Sequence, residues 1–373
     1  MASLREQFLL DPEIAYLNHG GFGAVPIPVL EAREQLQRKA EANPTRTYLR
    51  ELDTDLFDAL SHLAPAVGAT AKDLAWTTNV TFGLNLVARS LASRLGPGDE
   101  VLLTDLEYGS QKILWEWVCR QQGAICRQVP VRGTAPADLW EAIEAHLTPA
   151  VRVVLLSHIS SSTALRLPVE VVGPRLRERG VVVVVDGAHA PGHIPLDLSA
   201  MGCDYYVGNL HKWFAAPRPA GFVYASTASQ ALLDPLVVSW GGVDRSDSLA
   251  TRTHLPGTAD ASNWLAVPDA LAFHRAHLAP ARESARQLLA ATAEELQQLG
   301  YERIGHQEDD LLMSGFWIPG TTDPSRLASQ LLADKVEAVV TEHGGRPILR
   351  IAVAWYTTGT ETERLTATCK GLV

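Results

Sequence analysis

Five consecutive valines, Val181 to Val185, run straight into Asp186, and no other stretch of this chain restricts its fold so strongly. β-Branched side chains favour extended backbone, and a run without polar alternation needs apolar cover on both faces. It therefore reads as a buried strand of a parallel sheet. Val101 to Thr104 and Val151 to Ser157 read the same way, with helical stretches between them. One helix follows Thr77-Thr78-Asn79-Val80-Thr81, carries Leu84, Val87, Ala88, Leu91 and Leu95 on one face, and stops at Gly96-Pro97-Gly98. Another spans about Pro28 to Ala42, behind Leu17-Asn18-His19-Gly20-Gly21-Phe22-Gly23, whose glycines mark a tight backbone path. The pattern predicts an α/β fold with a mostly parallel mixed sheet covered by helices. Past Gly257-Thr258 a long helical tract reaches about Leu299, and Leu311 to Ile318 and Ile348 to Ala354 suggest a smaller C-terminal α+β domain. At 373 residues two domains are expected: residues 17–258 as the large one and 259–373 as the small one, joined by the N-terminal segment 1–16.

Lys212, in Asn209-Leu210-His211-Lys212-Trp213-Phe214, lies 26 positions after Asp186 and is one of six lysines in the chain. A lysine among aromatics can lose its charge and become a nucleophile, while an aspartate at the carboxyl end of a strand can hold a protonated ring nitrogen. Together they point to pyridoxal 5'-phosphate, joined to Lys212 as a Schiff base with Asp186 on the pyridinium nitrogen. The alternative for a lone lysine is an ordinary solvated side chain.

Other residues fall in order around this pair. The Asn79-Val80-Thr81 corner opens a helix, whose free N–H groups and dipole suit a phosphate, although a plain N-cap explains it equally. Tyr108, just past a strand end, is either a ring-stacking residue or a half-buried tyrosine with a satisfied hydroxyl. His189, three positions after Asp186, reads as a hydrogen-bond partner for the cofactor's phenolic oxygen or as a structural histidine. His211 is a candidate phosphate ligand. Arg350 presents a planar guanidinium that can grip a carboxylate through two parallel bonds, unless it is a surface arginine in a strand.

In this order the residues resemble the class V aminotransferase family, enzymes of the fold type I architecture, over nearly the whole chain. The resemblance rests on Leu17-Asn18-His19-Gly20, Asn79-Val80-Thr81, Asp186 with His189, Asn209 with His211-Lys212-Trp213, Pro256-Gly257-Thr258 and Leu349-Arg350-Ile351. It implies Lys212 as the cofactor-binding lysine, Asp186 on the ring nitrogen, His189 at the phenolic oxygen and Tyr108 stacked on the ring. It also implies Val80, Thr81, Asn209 and His211 around the phosphate, and Thr258 reaching the phosphate of a neighbouring subunit in a homodimer. Ser161 stands where many relatives carry an asparagine facing that oxygen. Arg350 becomes the carboxylate clamp, with Asn18, His19 and Tyr48 as further substrate candidates; Arg46, Trp240 and Arg252 are weighed between pocket and packing roles.

The implied substrate is an α-amino acid or aminoacyl conjugate, and the implied branch is that of isopenicillin N epimerase and the cysteine lyases. Cysteine desulfurases carry a nucleophilic cysteine before the clamp arginine, whereas Val336 to Arg346 holds none. β-Elimination from a cysteine-type substrate, as by a carbon-sulfur lyase, is the leading expectation. Epimerisation at Cα, with Tyr48, His19 or Tyr356 as second acid, and transamination are the alternatives. A net charge of -10 opposes binding to a phosphate backbone, so nucleic acid is not expected as a partner. No apolar run suggests a membrane segment, and Cys119, Cys126, Cys203 and Cys369 lack metal or disulfide spacing, so a cytoplasmic protein with reduced thiols is expected and no metal site.

Overall fold

The computed structural model describes residues 4–132, 136–239, 248–253, 257–305 and 310–372. Seven strands form the larger sheet: β1 (Leu74–Thr77), β2 (Glu100–Thr104), β3 (Ile125–Val129), β4 (Val151–Ser157), β5 (Val182–Gly187), β6 (Tyr205–Asn209) and β7 (Gly221–Ala225). Their order is β1-β7-β6-β5-β4-β2-β3. The run from β3 to β6 is parallel throughout, and β7 and β1 close one side antiparallel. The valine run is central, as its composition requires: Val183, Val184 and Val185 are fully buried, between Val154, Leu155 and Leu156 of β4 and Tyr205 and Tyr206 of β6. Each such valine contributes about 1.5–3 kcal/mol of burial, which fixes the register that carries Asp186 to the sheet's carboxyl edge.

The helix predicted from about Pro28 is α1 (Ile27–Ala42), and the amphipathic stretch after Asn79 is α2 (Val80–Ala92), which packs against α3 (Gly109–Gln122). The long tract before Leu299 is helical but segmented. Ser262–Leu265, Val267–Phe273 and Ala279–Gln298 follow one another, and Pro268 and Pro280 sit in the first turns of the last two, where a missing N–H costs little.

A second sheet of four antiparallel strands contains β8 (Glu302–Arg303), β9 (Met313–Trp317), β10 (Val339–His343) and β11 (Arg346–Ala352), in the order β10-β11-β9-β8. The N-terminal chain joins it: Ala15–Tyr16 pairs with Val336–Glu337, and the Ala352 amide donates to the Leu17 carbonyl at 2.8 Å. In the larger sheet, β1, β3, β6 and β7 were not anticipated from the sequence. β1 and β3 lie at its edges, and β6 and β7 carry glycines that dilute the β signal. Cys119, Cys203 and Cys369 are buried thiols, Cys126 is partly buried, and all four are free. Among the described residues no helix is long and apolar enough to cross a membrane.

The two sheets meet where β9 lies on the loop that follows β4. A Cβ at Gly315 would come within 2.6 Å of the Thr163 carbonyl oxygen, a backbone atom with no cheap way to move. Gly315→Ala is expected to destabilise the protein by about 1–3 kcal/mol, read as a lower urea midpoint with an unchanged slope.

Candidate active site

Lys212 follows β6, Asp186 is the next-to-last residue of β5 and His189 lies just past it, so the parallel register sets them side by side at the carboxyl edge of the sheet. Lys212 Nζ is 3.1 Å from His189 Nε2. Burial, reinforced by the Arg350 cation and opposed by Asp186, brings the amine down to about 7. Asp186 is 4% exposed, and burial raises its carboxyl to about 6 against the pull of the Ala188 amide, 2.9 Å from Oδ1, and of Lys212. Burial holds His189 neutral, helped by Lys212 and Arg350. Its carbonyl accepts from His193 Nδ1 at 3.1 Å while His193 Nε2 accepts the Leu312 amide at 2.7 Å, which settles the His193 tautomer. His193 stacks on Trp213 with ring centroids 3.8 Å apart. His189 Nδ1 is buried with no hydrogen-bond partner among the described residues.

The α2 N-terminus lies beside this cluster. Asn79 is its cap, with Oδ1 accepting from the Phe82 amide at 3.0 Å. The Val80 amide donates to Asn209 Oδ1 at 3.0 Å, so these two expected phosphate ligands satisfy each other and tie α2 to the end of β6. In this arrangement the Val80 N–H is engaged by Asn209. Thr81 is exposed and faces an open cleft of about 650 Å³ shared with Asn79, Asn85, Arg89 and Val237. His211 sets Nδ1 against the Ala220 backbone, 2.8 Å from the carbonyl, and burial lowers it to about 4, which leaves a neutral ring with Nε2 available. A buried carboxylate with a single backbone donor, a low-pKa amine, an unpartnered imidazole nitrogen and a helix N-terminus with Thr81 together fit a phosphorylated pyridine aldehyde.

Arg350, on β11, is 6% exposed and reaches across from the smaller sheet. Nη1 donates to the Ser161 carbonyl at 2.6 Å and to its hydroxyl at 3.2 Å, and Nη2 donates to Asn18 Oδ1 at 3.0 Å. Burial lowers the guanidinium to about 10, and the phenol of Tyr108 acts in the opposite direction. Ser161, expected near the cofactor's phenolic oxygen, makes its side-chain contact with Arg350 instead.

Other expected residues stand apart. Tyr108 is 53% exposed at the start of α3, and Thr258 is exposed. Tyr48 lines a small cleft with Lys39, Asp55 and Ala261, and no hydrogen bond brings it to Lys212. His19 is fully buried with both ring nitrogens engaged, one of them by Tyr356, which is 2% exposed. Arg46 pairs with Glu51 at 3.1 Å, and buried Arg252 donates to the Leu233 and Gln230 carbonyls, packing roles in each case. Trp240 and Pro256 lie outside the described residues. Sequence reading missed His193, whose signal was its i+4 spacing from His189. It also missed Glu107, a buried carboxyl raised to about 7 by desolvation while Ser157 and Thr104 donate to it, joining β2 to β4.

The profile of the family described as Aminotransferase class-V matches residues 15–362. The chain is 38% identical to isopenicillin N epimerase of Amycolatopsis lactamdurans over 100% of its own length and 98% of that protein's. It is 35% identical to the isopenicillin N epimerase of Streptomyces clavuligerus over 97% and 95%. A putative L-cysteine desulfhydrase 2 of Oryza sativa is 31% identical over 73% of this chain and 60% of that one. Among solved structures, a variant of C-DES with glycine covalently linked to its PLP cofactor superposes with a TM-score of 0.85 at 25% identity, covering 99% of each chain.

A lowered amine pKa means that the nucleophilic neutral form of Lys212 dominates above about pH 7. The rate at which the cofactor-free protein takes up pyridoxal phosphate, followed by absorbance, is expected to climb through pH 7 and level off above it. A climb centred near pH 10 would contradict a desolvated lysine.

Proposed function

The chain belongs to the class V aminotransferase family of pyridoxal phosphate enzymes acting on amino acids, and from that premise we propose that it epimerises the Cα of an amino acid or aminoacyl conjugate. The observation that carries this reading is end-to-end similarity, at 38% and 35%, to two isopenicillin N epimerases. Pyridoxal phosphate, when bound, supplies an electron sink conjugated to the substrate's Cα. Lys212 is the residue to hold the cofactor and then to move the Cα proton, since its amine is poised near neutrality. Asp186 keeps a ring proton in place, His189 offers its unpartnered Nδ1 within the site, and Arg350 grips the carboxylate with a guanidinium already oriented by Asn18 and Ser161.

Epimerisation also needs a proton carrier on the side away from Lys212. In the sheet order, Lys212 follows β6 on one side of Asp186's strand and Tyr108 follows β2 on the other. Tyr108 is exposed, and its phenol is close enough to act on Arg350, so it is the residue we assign to that face. With Thr81, Asn209 and His211 near the phosphate, the exposed Thr258 is left for the phosphate of a second subunit. The apolar Phe82, Ile113 and Trp117 exposed on α2 and α3 support the corresponding homodimer.

β-Elimination from a cysteine-type substrate is the second reading, favoured by the desulfhydrase relative. Persulfide transfer is not favoured. The stretch from Val336 to Arg346 includes the β10–β11 hairpin, closed by Gly344 and Gly345 at φ 57° and 75°, and it carries no cysteine. Cys369 is buried in Gly359–Lys370.

Incubation in deuterium oxide with amino acids and S-substituted cysteines tests the choice. Deuterium at Cα with loss of optical purity and no pyruvate is expected; pyruvate with ammonia transfers the assignment to elimination, and keto-acid-dependent turnover to transamination. Tyr108→Phe is expected to slow racemisation by about 10²-fold while Cα exchange with retention persists, as measured by chiral chromatography.

A further inference from the structure

Asn18 and His19 are adjacent, yet each holds a different member of the Lys212–Arg350 pair. Asn18 Oδ1 accepts from Arg350 Nη2. His19 Nε2 lies 3.0 Å from the Lys212 carbonyl oxygen, which can only accept, so Nε2 carries the proton. Nδ1 is then the acceptor, facing Tyr356 Oη at 2.8 Å and the Ala24 amide at 3.3 Å. The ring is fully buried among Trp213, Trp355 and Tyr356, and burial holds it neutral.

The rest of the loop is shaped for the same approach. A Cβ at Gly23 would stand 2.8 Å from Lys212 Cα, so only glycine lets the chain pass so close. Arg218 donates to the Gly23 carbonyl at one end of the loop. At the other, the Leu17 carbonyl is bonded to Ala352, two residues along β11 from Arg350. The segment therefore bridges the strand of the guanidinium and the turn of the lysine, which belong to different sheets.

We propose that residues 18–23 form a positioning loop that sets the spacing between Arg350 and Lys212, with Asn18 aiming the guanidinium and His19, backed by Tyr356, fixing the lysine's main chain. This rests on Arg350 and Lys212 acting as carboxylate grip and amine. Neither Asn18 nor His19 needs to touch substrate, so both are positioning residues and their losses separate. Without Asn18 the guanidinium keeps its charge and loses its aim, which weakens carboxylate binding. Without the His19 N–H, the main chain of the turn loses one of two donors to the Lys212 carbonyl, the other being the Ala215 amide at 3.0 Å.

The test uses the protein loaded with pyridoxal phosphate and reads cofactor absorbance, with glycine and the carboxylate-free ethylamine as probes. Asn18→Ala is expected to raise the glycine dissociation constant roughly ten-fold, leaving ethylamine binding and the pH midpoint of the absorbance unchanged. His19→Ala and Tyr356→Phe are expected to move that midpoint by about half a unit or more. His19→Gln, which restores an N–H at similar reach, should return it toward the parent value. Tyr356→Phe keeps the ring and its packing, so the lysine half stays testable if His19→Ala does not fold. If Arg350→Lys weakens glycine binding and Asn18→Ala does not, the loop proposal is wrong and the grip stands. If Arg350→Lys also leaves glycine binding unchanged, the underlying assignment of Arg350 falls. Unmoved midpoints in both His19→Ala and Tyr356→Phe would overturn the lysine half.

Discussion

The amine of Lys212 is held largely out of water beside a buried arginine, and the architecture around it follows from that constraint. Desolvation and the Arg350 cation both disfavour the ammonium form, while Asp186 alone among its named influences favours it. The result is an amine near neutrality at physiological pH, which no exposed lysine reaches. Keeping it there requires supports that do not relax. The parallel pairing of β5 with β4 and β6 fixes Asp186 opposite Ser157 and Val207, and with it the turn that carries Lys212.

Buried histidines supply much of the remaining stiffness. His19, His158, His189 and His193 are all held neutral by burial, and three of them join backbone or phenol groups across different segments. His193 links the His189 carbonyl to the Leu312 amide, and His158 Nδ1 lies 3.0 Å from Tyr206 Oη while its own amide donates to the Asp186 carbonyl. A neutral imidazole suits this use because it donates from one nitrogen and accepts at the other without adding charge beside Lys212. Among the described residues His158 Nε2 and His189 Nδ1 are left without a hydrogen-bond partner, and the second of these lies on the ring that touches Lys212, where a ligand atom would fit.

The central strands, α2 and the Asp186–His189–Lys212 grouping were legible because each has a local signature: a β-branched run, a 3.6-residue apolar period, a functional residue directly after a strand. The part assigned to His19 was not. A histidine in a glycine-rich loop near the N-terminus reads as a site residue, and only the tertiary fold shows its nitrogens turned to the Lys212 backbone and to Tyr356, 337 residues away in sequence. The engagement of the Val80 amide was hidden for a related reason. Helix N-terminal amides are free in isolation, yet Asn209 arrives from another strand to occupy this one. Ser161 likewise reaches Arg350 through a contact spanning 189 residues, beyond any sequence window.

The centre of the site is common to elimination, epimerisation and transamination, because each begins with the same proton leaving Cα toward the same amine. Choice among them has to come from what stands around that centre. The β10–β11 hairpin closes with two glycines and carries no thiol. Tyr108 stands at the start of α3 just past β2, which is separated from Asp186's strand by β4 and lies on the side away from β6 and Lys212, and the residue is exposed to water. A proton carrier of that kind is superfluous for elimination, where departure of the β-substituent ends the reaction, and necessary for inversion, where a proton must return from the far side. The same buried lysine can thus serve a family of reactions, and in the reading proposed above Tyr108 is the residue that turns it toward inversion.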